Sequence, residues 1–147
     1  MNSPGATLTV VNSTLSGNTA SQGGGGIYNG GTLTLTNSTL SGNSAYSSAM
    51  GHGLNNSSEG TLNYANTIIA NSPESNGDCR NYGTMATNTN NLVEDGSCSA
   101  EAVNYVSGDP MLAALADNGG PTHTMALLPG SPAIDAGDDT ICAAPPV

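Results

Sequence analysis

Two stretches of the chain repeat almost residue for residue. Residues 5–18 read GATLTVVNSTLSGN and residues 30–43 read GGTLTLTNSTLSGN, at an offset of 25 residues. Weaker copies follow, so that repeats start near residues 5, 30, 60 and 83. A period of this length is typical of a solenoid, in which each repeat buries its apolar side chains only by stacking on its neighbours.

Within each copy, apolar and polar residues alternate, which predicts a strand with one buried face. A short element precedes each of the later copies and ends in Asn, as in GGIYN, GLNN and DCRN. We therefore expect an all-β fold, a right-handed parallel β-helix of about four coils, with four columns of inward side chains. The expected columns are Leu8, Leu33, Leu62 and Met85; Val10, Leu35, Tyr64 and Thr87; Leu15, Leu40, Ile69 and Leu92; and Ile27, Leu54 and Cys79.

The pattern of the sequence changes after residue 108. We assign residues 1–108 to the coils and residues 109–147 to an irregular C-terminal cap, within one domain.

The chain has 20 Gly and no Phe or Trp, so Leu, Ile, Val and Ala must fill the interior. Side chains of this size suit a narrow, regularly stacked core.

The chain is strongly acidic. It carries 11 Asp and Glu residues against a single cationic side chain, Arg80, and its net charge is −10 with neutral His. Nucleic acid is excluded as a partner because phosphate binding draws on clustered Lys and Arg. Apolar runs long enough to cross a bilayer are missing, and we expect no membrane insertion. The expected ligand is a neutral small molecule or a neutral glycan.

The tail adds a distinctive set of motifs, GDP at 108–110, LADNGGPT at 115–122 and HTMALLPGSPAIDAGD at 123–138. Together with the repeat GGGIYNGGTLTLTNSTLSGNSA at 24–45, it resembles the C-terminal part of bacterial exported β-helix proteins of the choice-of-anchor Q type. The resemblance implies an extracellular or cell-surface parent protein, of which this chain is a fragment. It also implies a disulfide between Cys79 and Cys98. The residues alone leave open that Cys79 is a free thiol filling its column.

The first coil and the asparagines lead to two further expectations. A first coil would present unpaired backbone groups and an apolar layer, which predicts self-association through the N-terminal coil.

The recurring asparagines permit two interpretations, stacked amide ladders or turn residues with left-handed backbone. They are Asn12, Asn37 and Asn66 in one column and Asn18 and Asn43 in another.

Candidate catalytic and metal-binding groups concentrate towards the C-terminus. The chain has no G-x-S-x-G motif, and with Arg80 as its only cation it lacks the base of a uronate lyase. Its clustered carboxylates suit Ca²⁺, so an enzyme of this sequence would be a Ca²⁺-assisted hydrolase of a neutral ester, of a lactone such as an acyl-homoserine lactone, or of a glycoside. Turn formation is the alternative role for these residues. The candidate ligands are Asp135, Asp138, Asp139, Glu94 and Asp95, and the candidate catalytic residues are Asp138, Asp135 and His123.

A threonine array is the remaining candidate site. Threonines at alternate positions of the strands would project outwards and stack, and such a face can bind a ligand or order water or ice. We expect Asn63 and Ala86 to interrupt the array after two coils. The predicted ligand face comprises Thr7, Thr9, Thr32, Thr34 and Thr61. The preferred function is a non-catalytic, secreted or surface-exposed module that is adhesive or binds glycans.

Overall fold

The computed structural model describes residues 1–46, 50–73 and 77–143. Corresponding strands of successive repeats pair in parallel and form a β-solenoid of about three turns, with almost no helix. The all-β prediction is thus confirmed, and the architecture agrees with a right-handed parallel β-helix. The last four residues of the predicted cap, 144–147, lie outside the described residues.

Three sheets run along the solenoid. The first contains β1 (Thr7–Val11), β5 (Thr32–Thr36), β9 (Thr61–Ala65) and β12 (Thr84–Thr89) in that order. The second contains β2 (Thr14–Ser16), β6 (Thr39–Ser41), β10 (Ile68–Ala70) and β13 (Leu92–Val93), and the third contains β4 (Ile27–Asn29), β8 (Leu54–Asn56) and β11 (Cys79–Asn81). A small fourth sheet pairs β3 (Thr19–Ala20) with β7 (Ser44–Ala45), and the helix α1 spans Asp139–Cys142.

The solenoid has about three turns, where the sequence predicted about four coils, and the first turn is the less regular one. Its contribution to the third sheet is a single parallel bridge between Asn2 and Asn29. The first two sheets nevertheless contain four strands each, and the strands of the first sheet begin close to the predicted repeat starts.

The apolar core lies inside the turns and follows the predicted columns through the first three repeats. Leu8 pairs with Leu33 and Leu33 with Leu62, while Ile27, Leu54 and Cys79 align in the third sheet. Side chains of the middle coils are fully buried, as expected where a layer is covered on both sides. Those of the first coil, Leu8, Val10 and Leu15, are only partly buried.

In the last repeat, two column assignments are wrong. A bulge between Met85 and Thr87 shifts the register, so that Asn88, and not Thr87, lies beside Tyr64. In the second sheet Val93, and not Leu92, pairs with Ile69. A bulge adds one residue to one strand of a pair, and every later side chain then changes face.

Asn88 takes the place of an apolar residue at the end of the core. It is 5% exposed, and its amide donates to Cys98 O at 2.9 Å and to Ala100 O at 3.1 Å. Because these carbonyls belong to the segment that covers the last coil, the buried amide fastens the end of the core to its cover. The same segment continues the stacking through parallel bridges from Val103 and Val106.

A complete asparagine ladder runs through the third sheet. Asn2 donates to Asn29, Asn29 to Asn56 and Asn56 to Asn81, each through Nδ2 to Oδ1 at 2.7 Å. Each internal amide therefore donates to one neighbouring coil and accepts from the other, which satisfies polar groups that are entirely buried in the middle coils. The motifs ending in Asn are visible in the sequence, but they do not by themselves predict the ladder.

In the two predicted asparagine columns, both amide ladders and left-handed turn residues occur. Asn12, Asn37 and Asn66 all have φ of 49°, the left-handed conformation of a turn residue. Asn66 also donates to Asn37 Oδ1 at 3.1 Å. Turn and ladder are therefore not exclusive in this column, whereas in the other column, where Asn18 donates to Asn43 Oδ1 at 3.0 Å, the two asparagines form a ladder.

The tail after residue 108 packs along the second sheet. Antiparallel bridges join Leu112 to Leu127 and Ala116 to Thr124, which makes a hairpin of residues 112–127. Asn66 then holds the next segment, because its Oδ1 accepts from Asp138 N and its Nδ2 donates to Asp138 O, both at 2.9 Å.

Candidate functional site

The outer side of the first sheet is a regular array of threonines, which we call the threonine face. One column runs through all four strands as Thr7, Thr32, Thr61 and Thr84, and the next contains Thr9, Thr34, Asn63 and Thr87. Rungs of a parallel sheet lie roughly 4.8 Å apart, and alternate residues of a strand roughly 6.7 Å apart. The face is therefore a nearly rectangular lattice of hydroxyl groups.

The array is longer than the sequence suggested. The sequence predicts an interruption at Ala86, but Ala86 lies in the bulge and Thr87 takes the position beside Asn63. The Thr87 hydroxyl donates to Asn63 Oδ1 at 3.2 Å, which joins the last two rungs of this column. Asn63 is the one departure from Thr in the two columns, and it is itself a neutral polar residue.

The threonine face carries no charge. A third outward column, at the C-terminal end of the strands, contains Val11, Thr36, Ala65 and Thr89. Thr, Asn, Val and Ala thus form the outer side of these four strands, in a chain whose net charge is −10. The side chains beneath, such as Leu33 and Leu35, are fully buried and hold the strands in place.

The predicted catalytic and calcium-binding residues of the tail have local structural roles. The Asp138 carboxylate accepts from Thr140 N at 2.8 Å and from the Thr140 hydroxyl at 2.6 Å, and so caps α1. The same hydroxyl and N–H of Thr140 lower the pKa of Asp138. Asp139 is the first residue of that short helix. Asp135 is exposed and has φ of 58°, as in a turn.

His123 lies apart from these turns in sequence and is exposed on the hairpin of residues 112–127. The other histidine, His52, is 3% exposed, and its Nδ1 accepts from Ala45 N at 2.8 Å. This hydrogen bond joins His52 to the last residue of β7.

Glu94 and Asp95, the other predicted calcium ligands, organise the loops beside the disulfide. The Asp95 carboxylate accepts from Asp78 N at 3.0 Å, and the Asp78 carboxylate accepts from Asp95 N at 3.2 Å. Glu94 accepts from Asn71 N at 2.6 Å. Burial raises the pKa of Asp78, while hydrogen bonds from Ser72 and from the backbone N–H of Asp95 oppose the rise.

These three carboxylates line an open cavity of about 460 Å³. Across the described ranges, however, no three His, Cys, Asp or Glu side chains form a group that could hold a metal ion. The calcium site stays a prediction. The disulfide implied by the family resemblance is present between Cys79 and Cys98, with a Cα–Cα distance of 5.7 Å.

Comparison of the chain with known protein families, with curated proteins and with solved structures finds no match. The resemblance to choice-of-anchor Q proteins therefore stays a prediction as well. No helix within the described residues has the length and apolar character needed to cross a bilayer.

Proposed function

We propose that this chain is a non-catalytic binding module of an exported or cell-surface protein, and that its threonine face binds a neutral, hydroxyl-rich polysaccharide. The observation that supports the proposal is the uncharged lattice of hydroxyls across four rungs. The disulfide between Cys79 and Cys98 supports an oxidising compartment outside the cytoplasm.

The chemistry of the face suits a ligand made of hydroxyl groups. Each Thr hydroxyl both donates and accepts a hydrogen bond, and β-branching restricts its rotamers, so little side-chain entropy is lost on binding. The net charge of −10 disfavours anionic polysaccharides, because the whole chain repels them.

The size of the face favours a polymer over a single sugar. Each hydrogen bond exchanges water for ligand and contributes about 0.5–1.5 kcal/mol. One sugar unit spans too few threonines to offset the entropy lost on association, whereas an extended chain contacts several rungs at once. Binding should therefore strengthen with the length of the polysaccharide.

The test is co-sedimentation with insoluble neutral polysaccharides and calorimetric titration with soluble neutral oligosaccharides of increasing length. We expect Thr32→Ala with Thr34→Ala to weaken binding by about 5-fold to 150-fold, which corresponds to two lost hydrogen bonds. The control is Thr19→Ala with Ser44→Ala, which also removes two hydroxyls, 3.1 Å apart on β3 of the first coil and β7 of the second, outside the threonine face.

Retention of full affinity by the Thr32 and Thr34 variant, or an equal loss in the control, would exclude the threonine face as the site. Absence of binding to every neutral polysaccharide in the series would reject the proposed ligand class.

Ordering of water or ice is a second candidate for the same face. The bulge at Ala86 favours it, because the shift in register brings Thr87 into line and extends the regular array to four rungs. An ice-ordering face predicts thermal hysteresis that is lost in the Thr32 and Thr34 variant and kept in the Thr19 and Ser44 control. Freezing behaviour equal to that of an unrelated protein at the same concentration removes this candidate.

A further inference from the structure

Most hydroxyl groups of the threonine face have no hydrogen-bond partner in the protein. Thr87 donates to Asn63 Oδ1 at 3.2 Å, and Thr89 donates to Asn90 Oδ1 at 2.8 Å. The other threonines of the first two outward columns are exposed or half-buried, and within the described residues their hydroxyl groups bond to no other residue. They are Thr7, Thr9, Thr32, Thr34, Thr61 and Thr84. Since a hydroxyl group both donates and accepts, these groups are available to a ligand.

The hydroxyl groups continue along the solenoid axis but not along the strands. The first outward column, which starts at Thr7, has Thr on all four rungs. The second column, which starts at Thr9, has Thr or Asn throughout. The third column is interrupted by Val11 and Ala65, so on two rungs a line of polar groups along the strand ends at an apolar side chain. The first and second columns are therefore two continuous polar tracks, side by side along the axis.

The spacing of the two tracks is regular. The asparagine ladder repeats the same 2.7 Å bond at each step between coils, and side-chain ladders of this kind keep stacked strands flat. Neighbouring rungs are thus roughly 4.8 Å apart along the axis, and the two tracks are roughly 6.7 Å apart. In the last rung the bulge after Met85 keeps this spacing, because it brings Thr87 into the second track.

Polysaccharides differ in whether their backbone can follow a straight, regular track. Pyranose units that are joined by equatorial bonds at both ends form a flat, extended ribbon, in which each unit advances by nearly the distance between two rungs. The hydroxyl groups of the ribbon lie along its two edges, and its axial C–H bonds point to its two faces. An axial linkage instead turns each unit against the next, so that the chain coils away from a flat surface.

From these observations, we infer that the threonine face binds an extended ribbon of equatorially linked pyranose units, as in a β-1,4-linked glucan, with its chain along the solenoid axis. One unit lies on each rung, and the two edges of the ribbon lie over the two tracks. The methyl group of each Thr contacts the C–H face of the sugar, while its hydroxyl group bonds to the edge. The inference rests on the proposed function and adds the linkage and the direction of the ligand.

The alternation of units along the ribbon fits the chemistry of threonine. Successive units of a β-1,4-linked chain are rotated by half a turn, so each track meets a different hydroxyl group of the sugar at each rung. A Thr hydroxyl group donates or accepts as the sugar requires. Asn63, the one other residue in the two tracks, also offers both a donor and an acceptor.

The first test compares two series of glucose oligosaccharides that differ only in the configuration of the 1,4-linkage. The β-linked series forms the extended ribbon, and the α-linked series coils. In calorimetric titration of the complete chain, the affinity for the β-linked series should rise up to the tetrasaccharide, which covers the four rungs. The expected rise is about 2-fold to 12-fold for each hydrogen bond gained. The α-linked tetrasaccharide should bind more weakly, by the same factor for each contact that its coil loses.

The second test establishes the direction of the bound chain. Thr34→Leu places a bulky apolar side chain in the middle of the second track, so a ribbon along the axis should bind about 5-fold to 150-fold more weakly, as for two lost hydrogen bonds. A chain along the strands would lose one of four parallel sites and keep its affinity for the others. Thr36→Leu is the matched control, because it adds the same side chain to the same strand outside the two tracks, and it should bind like the unchanged chain. Circular dichroism reports whether both variants are folded.

Equal affinity for the two tetrasaccharides, no binding of the β-linked series, or a Thr34→Leu variant that binds no more weakly than Thr36→Leu would overturn the inference. The comparison of linkages uses the unchanged chain, so it decides the matter even if Thr34→Leu fails to fold. The other neutral polysaccharides test the proposed function separately. If one of these binds while the β-linked series does not, only the inference fails, and if none of them binds either, the proposed function fails as well.

Discussion

The asparagine ladder predicts a strong pH dependence in one isosteric variant, Asn56→Asp. Asn56 is fully buried, and its Nδ2 donates to Asn81 Oδ1 at 2.7 Å. The same nitrogen lies 3.2 Å from Gly60 O and 3.3 Å from Thr84 O. Aspartate has the same shape, but it places an acceptor oxygen where these three acceptors require a donor.

The magnitude follows from proton linkage. The buried carboxylate faces other acceptors, so its pKa rises above the unfolded value of about 3.9. Between the unfolded and folded pKa values the native state binds one proton more than the unfolded state. The free energy of unfolding therefore falls by about 1.4 kcal/mol for each pH unit as the pH rises. With a folded pKa near or above about 7, the loss from about pH 4 to about pH 7 is roughly 4 kcal/mol.

A loss of this size is a large part of the roughly 7–15 kcal/mol expected for a domain of this length. The assay is urea unfolding followed by circular dichroism at several pH values, since the chain has no Trp. The control is Asn12→Asp, at an exposed turn position with φ of 49° that Asp tolerates. If stability relative to the unchanged chain is constant with pH, or falls equally in the control, the ladder does not constrain Asn56 as described.

Two further predictions concern the covered end of the core. Cys79 and Cys98 are separated by 19 residues, and reduction of their disulfide should lower the free energy of unfolding by about 3 kcal/mol. The measurement is urea unfolding with and without reductant. An unchanged urea concentration at the midpoint of unfolding would contradict this prediction. Burial raises the pKa of Tyr64 and of Tyr105. Because the folded state then keeps protons that the unfolded state loses, stability should fall as the pH rises above about 10. Tyr64→Phe with Tyr105→Phe should flatten this decline in alkaline unfolding curves, and an equally steep decline would refute its assignment to these two phenols.

The sequence was sufficient to predict the stacking of the first three repeats. Leu8, Leu33 and Leu62 align as expected, because a strict alternation of apolar and polar residues leaves one register that buries every Leu. The last repeat was not predictable in this way. Thr87 and Asn88 are both small and polar, so the pattern does not reveal that a bulge turns Asn88 inwards. The decisive partners, the carbonyls of Cys98 and Ala100, lie in a segment without periodicity.

The candidate site residues also differ in whether the alternating pattern of the strands determines their position. The threonine face was predicted from spacing, apart from its last rung, because outward positions follow directly from the alternation. A turn role was one of the alternatives for Asp138, but the hydrogen-bond partners of Asp138 and Asp95 were not predicted, since each is a backbone N–H brought close by loop geometry that composition does not encode. The ladder through Asn29 and Asn56 had a visible signal, an Asn at the end of each short element, but turn chemistry explains a lone Asn equally well.

The asparagine ladder also makes the coils interchangeable modules. Each internal amide offers the next coil the same donor and acceptor that it received from the coil before it, so a whole repeat could be duplicated or removed without leaving a mismatched polar group inside. Lineages of such a protein can therefore change length in whole coils. The threonine lattice would lengthen or shorten in step, and the reach of the binding surface could evolve separately from its chemistry.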